Sequence, residues 1–174
     1  MAPPRWGAHL LRPDWAERLV ASAGVARGDL VLDVGAGLGA LTAPLVDAGA
    51  RVIAVELHPE RARRLRQRFG TSVTVVRADA CDLRLPKRPF SVVANPPFAA
   101  TAPLLRRLLQ PGSRLVAAHL VLQQQVVRRW STPAAPGHAR WARAFAAAPG
   151  MAIPRRAFRP APGVDARVLR ITRR

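Results

Sequence analysis

Residues 92–98 read Val-Val-Ala-Asn-Pro-Pro-Phe, an apolar run that ends on Asn95-Pro96-Pro97-Phe98. These residue types in this order suit one chemical task, the holding of a planar exocyclic amine. The Asn95 side-chain oxygen accepts one N–H of such an amine, and the Pro96 carbonyl accepts the other. Phe98 offers a flat apolar face on which the ring bearing the amine stacks. The prolines remove backbone freedom and a competing donor. A Pro-rich turn after a buried strand is the plainer reading of the same four residues, and what lies upstream decides between them.

Upstream, Asp33-Val-Gly35-Ala-Gly37-Leu-Gly39 falls where an apolar run gives way to a helical pattern. Glycines there let the backbone approach a ligand closely at a helix start. The spacing is G-x-G-x-G. A G-x-G-x-x-G loop cradles a pyrophosphate, whereas the shorter one is the usual loop around the amino-acid part of S-adenosylmethionine. Glu56 follows the next apolar run, placed to accept both ribose hydroxyls of a nucleoside. Asp79, in Arg-Ala-Asp-Ala, follows the third run and is suited to accept the cofactor's adenine amine, with Ala78 or Ala80 leaving room for the ring. Asp82 is its rival, read as a surface acid.

The elements that must carry these groups follow from periodicity. Strands are expected at Leu30–Val34, Arg51–Val55, Val73–Val76, Phe90–Ala94 and Leu115–Val121. Helices are expected at Asp14–Ala23, Leu38–Ala48, Pro59–Phe69, Pro103–Leu109 and around Val121–Trp130. Residues 131–140 read as a loop, and Ala142–Ala148 and Val164–Ile171 as closing strands. Strands alternating with helices at this spacing predict an α/β fold with a mostly parallel, doubly wound sheet. The four polar sites then stand at the carboxyl ends of consecutive strands, where open α/β sheets bind ligands. That ordered set predicts a Rossmann-like S-adenosylmethionine-dependent methyltransferase.

Composition bounds the partner. The 174 residues are 49% hydrophobic, enough for a single catalytic domain over 1–174 that includes a helical N-terminal segment, residues 1–27. There are 28 Lys+Arg against 10 Asp+Glu, a formal charge of +18, which points to a polyanionic partner. Lys87 is the only lysine, and Arg suits phosphate forks and base stacking. The Ala, Arg and Pro bias also fits a GC-rich genome, which inflates Arg without functional cause. The single Cys81 excludes a disulfide framework and a cysteine zinc cluster, and it is expected to pack near the core. The histidines lack metal-ligand spacing, so no metal is assigned. No apolar run approaches a membrane span, and the N-terminus lacks the apolar core of a secretory signal. A cytoplasmic monomer without membrane contact is expected.

Together these residues resemble the ribosomal RNA adenine N6-dimethyltransferase family, which includes the KsgA-type ribosome-biogenesis enzymes and the Erm-type macrolide-resistance enzymes. The likeness runs from about Gly7 to Thr172. Gly7-Ala8-His9-Leu10-Leu11 is similar to the family's Gly-Gln-Asn/His-Phe-Leu cofactor segment, matching at His9 and Leu11 and departing at Ala8 and Leu10. Ala157-Phe158-Arg159-Pro160-Ala161-Pro162-Gly163-Val164-Asp165 is similar to its Phe-x-Pro-x-Pro-x-Val-Asp-Ser loop. Pro96 and Phe98 depart from the usual Asn-Ile/Leu-Pro-Tyr, keeping the stacking surface but not the hydroxyl. The chain ends at Arg174, so the family's small C-terminal helical domain is not expected, and the likeness is greatest to short Erm-type enzymes.

The resemblance implies methyl transfer to N6 of an adenine. Asn95, Pro96 and Phe98 would be catalytic. The cofactor would lie against His9, Leu11, Gly35, Gly37, Glu56, Asp79 and Asn95. Phe98 and Phe158 would stack on the two faces of the extruded base, with Arg155, Arg156 and Arg159 on RNA phosphates. Arg61, Arg64 and Arg68, with Arg63 and Arg66 beside them, read as a further basic face, and Arg106, Arg107, Arg128 and Arg129 add charge. The implied partner is 23S rRNA, free or in a ribosomal precursor, with macrolide resistance as the outcome. Dimethylation of 16S rRNA in ribosome biogenesis is the alternative. A non-catalytic RNA-binding relative is a third reading.

Overall fold

The computed structural model describes residues 9–174, so Gly7 and Ala8 of the cofactor-segment likeness lie outside the described residues. A short strand β1 (Leu10–Leu11) leads into helix α1 (Pro13–Ala23), which Pro13 starts with its φ already set and Gly24 ends in a left-handed turn. There follow β2 (Leu30–Val34), α2 (Thr42–Asp47), β3 (Arg51–Val55), α3 (Pro59–Phe69), β4 (Val73–Val76), β5 (Phe90–Ala94), α4 (Thr101–Leu108), β6 (Leu115–Gln123) and α5 (Gln124–Trp130). The chain closes with α6 (His138–Trp141), β7 (Phe145–Ile153), β8 (Phe158–Arg159) and β9 (Ala166–Arg173).

Seven strands form one sheet in the order β4-β3-β2-β5-β6-β9-β7. Strands β4 through β6 are parallel, and β9 runs antiparallel between β6 and β7. The sheet is therefore mostly parallel, and helices cover both faces. Alternation along β2 shows the division: Val31 packs with α1, α2 and α3, while Leu30, Leu32 and Val34 face the side of α4 and α5. Every residue of β2 is buried, as a central parallel strand requires.

Several boundaries differ from the sequence reading by a few residues, and three of the shifts have a clear local reason. Helix α2 begins at Thr42 rather than Leu38, because Gly37 and Gly39 hold positive φ angles of 59° and 89° that no right-handed helix contains. Strand β6 runs on to Gln123, since β9 pairs with it through Gln123↔Ala166, and α5 starts only at Gln124. Strand β7 starts at Phe145 and continues past Pro149, where the register shifts; an edge strand tolerates that break. The expected 131–140 loop closes with the four-residue α6.

A second, two-stranded sheet joins β1 to β8, pairing Leu10 with Arg159 and Leu11 with Phe158. It ties the start of the described chain to the segment before the last strand. No helix among the described residues is long and apolar enough to cross a membrane.

Candidate active site

Strands β2 and β5 are neighbours, but the chain leaves them toward opposite faces of the sheet. A crevice must open at their carboxyl ends. The cavity there measures about 450 Å³, within the range of small-molecule sites. The loop after β2 contributes Gly35 and Gly37, the end of β3 Glu56 and Leu57, and the turn after β4 Ala78 to Cys81. The segment after β5 contributes Asn95 to Ala100, and His9, Leu10 and Arg61 complete the wall.

The glycine loop has two distinct jobs. A Cβ on Gly35 (φ 78°) would stand 2.9 Å from Pro97 Cδ, so this glycine lets the loop and the Asn95–Phe98 segment approach each other. A Cβ on Gly39 would meet the Phe69 ring at 2.7 Å, a packing constraint between the loop and α3 rather than a ligand contact. The loop's amides are spent within the protein. Gly35 and Ala36 donate to the Val55 carbonyl at 2.8 and 3.0 Å, Gly37 to Glu56 Oε2 at 2.8 Å, and Gly39 to the Ala36 carbonyl at 2.9 Å. Such a loop has few N–H groups left for a phosphate.

Electrostatics agree with that geometry. In a chain of charge +18, this cavity is lined by the carboxylates of Glu56 and Asp79, and Asp33 lies buried below the loop. Glu56 is buried, its Oε1 accepting from His58 N and its Oε2 from Gly37 N, both at 2.8 Å. One lone pair on each oxygen remains for a ligand's hydroxyls. Asp79 caps the turn by accepting from Cys81 N at 2.8 Å. Burial pushes the Asp33 carboxyl up to about 7, against the opposing hydrogen bond from Thr42 Oγ1 at 2.6 Å; the charge of Glu56 adds to the rise. A site built of acids, with its amides consumed, favours a neutral or cationic nucleoside ligand over a nucleotide diphosphate. S-adenosylmethionine fits that donor set.

At the other side of the cavity, Asn95 Nδ2 donates to the His9 carbonyl at 2.8 Å. A carbonyl can only accept, so the amide's NH₂ must face it and Oδ1 must point away. The Asn95 acceptor is thereby fixed beside Phe98, which is half-buried on the cavity wall. The Pro96 carbonyl receives no main-chain or side-chain donor among the described residues outside regular elements. Asn95, Pro96 and Phe98 thus line one cavity, and they are the residue types that an amine-bearing ring requires.

His9, Gly35, Gly37, Glu56, Asp79, Asn95, Pro96 and Phe98 are all brought around this cavity. Leu11 is not. It is buried among α1, Val93 and Phe158, because alternation along β1 sends its side chain opposite to that of Leu10, which takes the cavity wall. Phe158 is also a correction: it is 3% exposed within the same core and has no face free for a base. Arg155, Arg156 and Arg159 do not line the cavity; Arg155 Nε donates to the Pro162 carbonyl at 2.8 Å, and the other two are exposed. Asp82 pairs with Arg107 at the surface, away from the cavity. Cys81 is exposed on the cavity wall rather than packed near the core.

The basic face of α3 is partly consumed by the protein. Arg63 pairs with Glu60 at 2.8 Å, Arg66 reaches the Val75 carbonyl at 3.3 Å, and Arg68 the Leu38 carbonyl at 2.8 Å. Arg61 instead lines the cavity, a placement that helical spacing did not suggest. Its position five residues after Glu56, at the start of α3, was the available signal.

Residues 7–174 match the family described as Ribosomal RNA adenine dimethylase. The Ribosomal RNA small subunit methyltransferase A of Mycobacterium tuberculosis (strain ATCC 25177 / H37Ra) is 41% identical over 122 residues, covering 64% of this chain and 38% of that protein. Its counterpart in Rhodococcus opacus (strain B4) is 40% identical over 130 residues, 69% of this chain and 43% of that one. This chain spans less than half the length of these curated relatives. Among solved structures, the 23S rRNA methyltransferase ErmE superposes with a TM-score of 0.81 at 27% identity, over 95% of this chain and 70% of that one. A dimethyladenosine transferase from Plasmodium falciparum superposes at 0.82 with 22% identity, over 95% and 64%, a likeness of fold.

Proposed function

The chain belongs to the Ribosomal RNA adenine dimethylase family, and from that premise we propose that it methylates N6 of an adenine in ribosomal RNA. The observation that carries the proposal is the held orientation of Asn95 on the cavity wall, whose Nδ2 is engaged by the His9 carbonyl so that Oδ1 is the end of the amide left to accept. Bound S-adenosylmethionine would supply an electrophilic methyl group on its sulfonium. Glu56 would hold the ribose hydroxyls, Asp79 the adenine amine, and Gly35 and Gly37 would make room for the amino-acid part.

The remaining work falls to the Asn95–Phe98 segment. The N6 lone pair of adenine is delocalised into its ring and is a poor nucleophile. Asn95 Oδ1 and the Pro96 carbonyl, accepting the two N–H bonds, draw that nitrogen toward a pyramidal geometry and aim its lone pair. Phe98 holds the base plane by stacking. Positioning of this kind supplies most of the acceleration, and no strong base is needed before the transfer. The base must leave its own stack to enter, which favours an unpaired or weakly paired adenine.

Two targets remain within this reading. An adenine of 23S rRNA, with macrolide resistance as the consequence, is supported by the likeness to ErmE at 27% identity. A 16S rRNA target is supported by small-subunit relatives at 41% identity. We place the protein in the cytoplasm with the ribosomal precursors, acting as a monomer. Primer extension across both rRNAs after expression in a macrolide-susceptible host separates the targets. A new modification stop in 23S rRNA with raised macrolide tolerance establishes the first. A stop confined to 16S rRNA establishes the second. Because a single N6-methyl group still pairs and gives no stop, the proposal is sunk by the absence of a stop together with the absence of new N6-methylated adenosine in nucleoside digests of both rRNAs.

A further inference from the structure

The geometry points to His9 as the second wall of the acceptor-base slot, facing Phe98, in the place that Phe158 was expected to take; this inference rests on the function proposed above. The His9 and Phe98 ring centroids lie 6.0 Å apart at an interplanar angle of 32°. Both rings line the cavity that also holds Asn95. The His9 carbonyl orients Asn95, so one residue sets both the amine acceptor and the wall beside it.

The ring is held from behind. Strand β1 pairs with β8 in the register Leu10↔Arg159, which brings His9 level with Pro160. His9 Nδ1 lies 2.8 Å from the Pro160 carbonyl. That carbonyl can only accept, so Nδ1 carries the hydrogen and Nε2 is left away from the tether. The Phe158–Asp165 segment therefore acts on the slot through the Pro160 main chain, while the Phe158 side chain anchors the segment in the core. A base stacked between two rings needs about 3.5 Å on each side. The slot must then widen by roughly 1 Å, which a ring on a single hydrogen-bonded tether accommodates.

Three variants separate a stacking wall from a polar cofactor contact: His9→Ala, His9→Phe and His9→Asn. Each is assayed for S-adenosylmethionine Kd by calorimetry, for kcat/KM on rRNA, and for quenching of a 2-aminopurine placed in a single-stranded RNA. A stacking wall predicts that His9→Ala loses roughly tenfold to a hundredfold in kcat/KM while the cofactor Kd stays within about threefold. His9→Phe restores most of the loss and the quenching, and His9→Asn restores neither. Rescue by Asn but not Phe overturns the inference, as does a cofactor Kd that weakens in step with kcat/KM. Equal quenching by wild type and His9→Ala overturns it as well. If wild type quenches the probe, and His9→Ala does not, yet no rRNA is methylated, the slot stands and the function proposed above falls.

Discussion

The side-chain amide of Asn95 donates from Nδ2 to the main-chain carbonyl of His9 at 2.8 Å, joining residues 86 apart in sequence. The contact decides which end of the amide meets a substrate. An Asn95→Asp chain presents only acceptors to that carbonyl, so attraction becomes repulsion and the orientation is lost. We expect kcat on rRNA to fall by about 100-fold or more. Cofactor binding, measured by calorimetry, changes far less than kcat, because Glu56 and Asp79 are untouched. Full activity in Asn95→Asp would show that this amide does not orient the amine.

Gly35 and Gly39 share a motif but not a consequence. Alanine at Gly39 drives a methyl group into the Phe69 ring at 2.7 Å, in a backbone region that L-residues avoid. Its cost is read in urea unfolding, about 1–3 kcal/mol of stability, with cofactor affinity altered little in the folded fraction. Alanine at Gly35 instead presses on Pro97 and displaces the Asn95–Phe98 segment. Activity then falls further than stability does. The reverse ranking would assign the ligand contact to Gly39.

Asp33 makes stability depend on pH. Its carboxyl is raised from 3.8 to about 7 by burial in the fold, so the folded chain holds a proton that the unfolded chain releases between those values. Stability from this group is therefore greatest below about pH 4 and declines as pH rises toward 7. The full effect is on the order of 4 kcal/mol. An Asp33→Asn chain keeps an acceptor for Thr42 Oγ1 and loses this slope. Urea midpoints from pH 5 to pH 8 should fall more steeply in wild type than in the variant; parallel curves would show that Asp33 is ionised throughout.

The two phenylalanines of the expected base clamp should part company under mutation. Phe158→Ala empties a core position and should cost about 3–5 kcal/mol of stability. Phe98→Ala removes a half-buried ring from the cavity wall and should leave stability within about 1 kcal/mol, while weakening kcat/KM on rRNA. Thermal unfolding alongside kinetics checks both. A Phe158→Ala chain of normal stability but no activity would return Phe158 to the base slot.

Strands β2, β3 and β5 were legible because each is a short apolar run that stops at Gly35, Glu56 or Asn95, and Asp79 follows β4 by three residues. The glycine loop was legible from its spacing. What spacing alone does not carry is the direction in which a side chain points once two distant segments pair. Leu10 and Leu11 exchange roles only because β1 pairs with β8, a partner nearly 150 residues away. The same pairing turns Phe158 inward. The arginines of α3 have helical spacing, but their carbonyl partners, Leu38 and Val75, lie on other elements. Local periodicity shows neither carbonyl.

Methyl transfer to N6 of an adenine, aimed by Asn95, is tested by mass spectrometry of nucleosides from 23S and 16S rRNA incubated with purified protein and methyl-labelled S-adenosylmethionine, wild type beside Asn95→Ala. Label is expected in N6-methyl- or N6,N6-dimethyladenosine with wild type and should be nearly absent with the variant. Label on another atom or base, or equal labelling by both proteins, would contradict it.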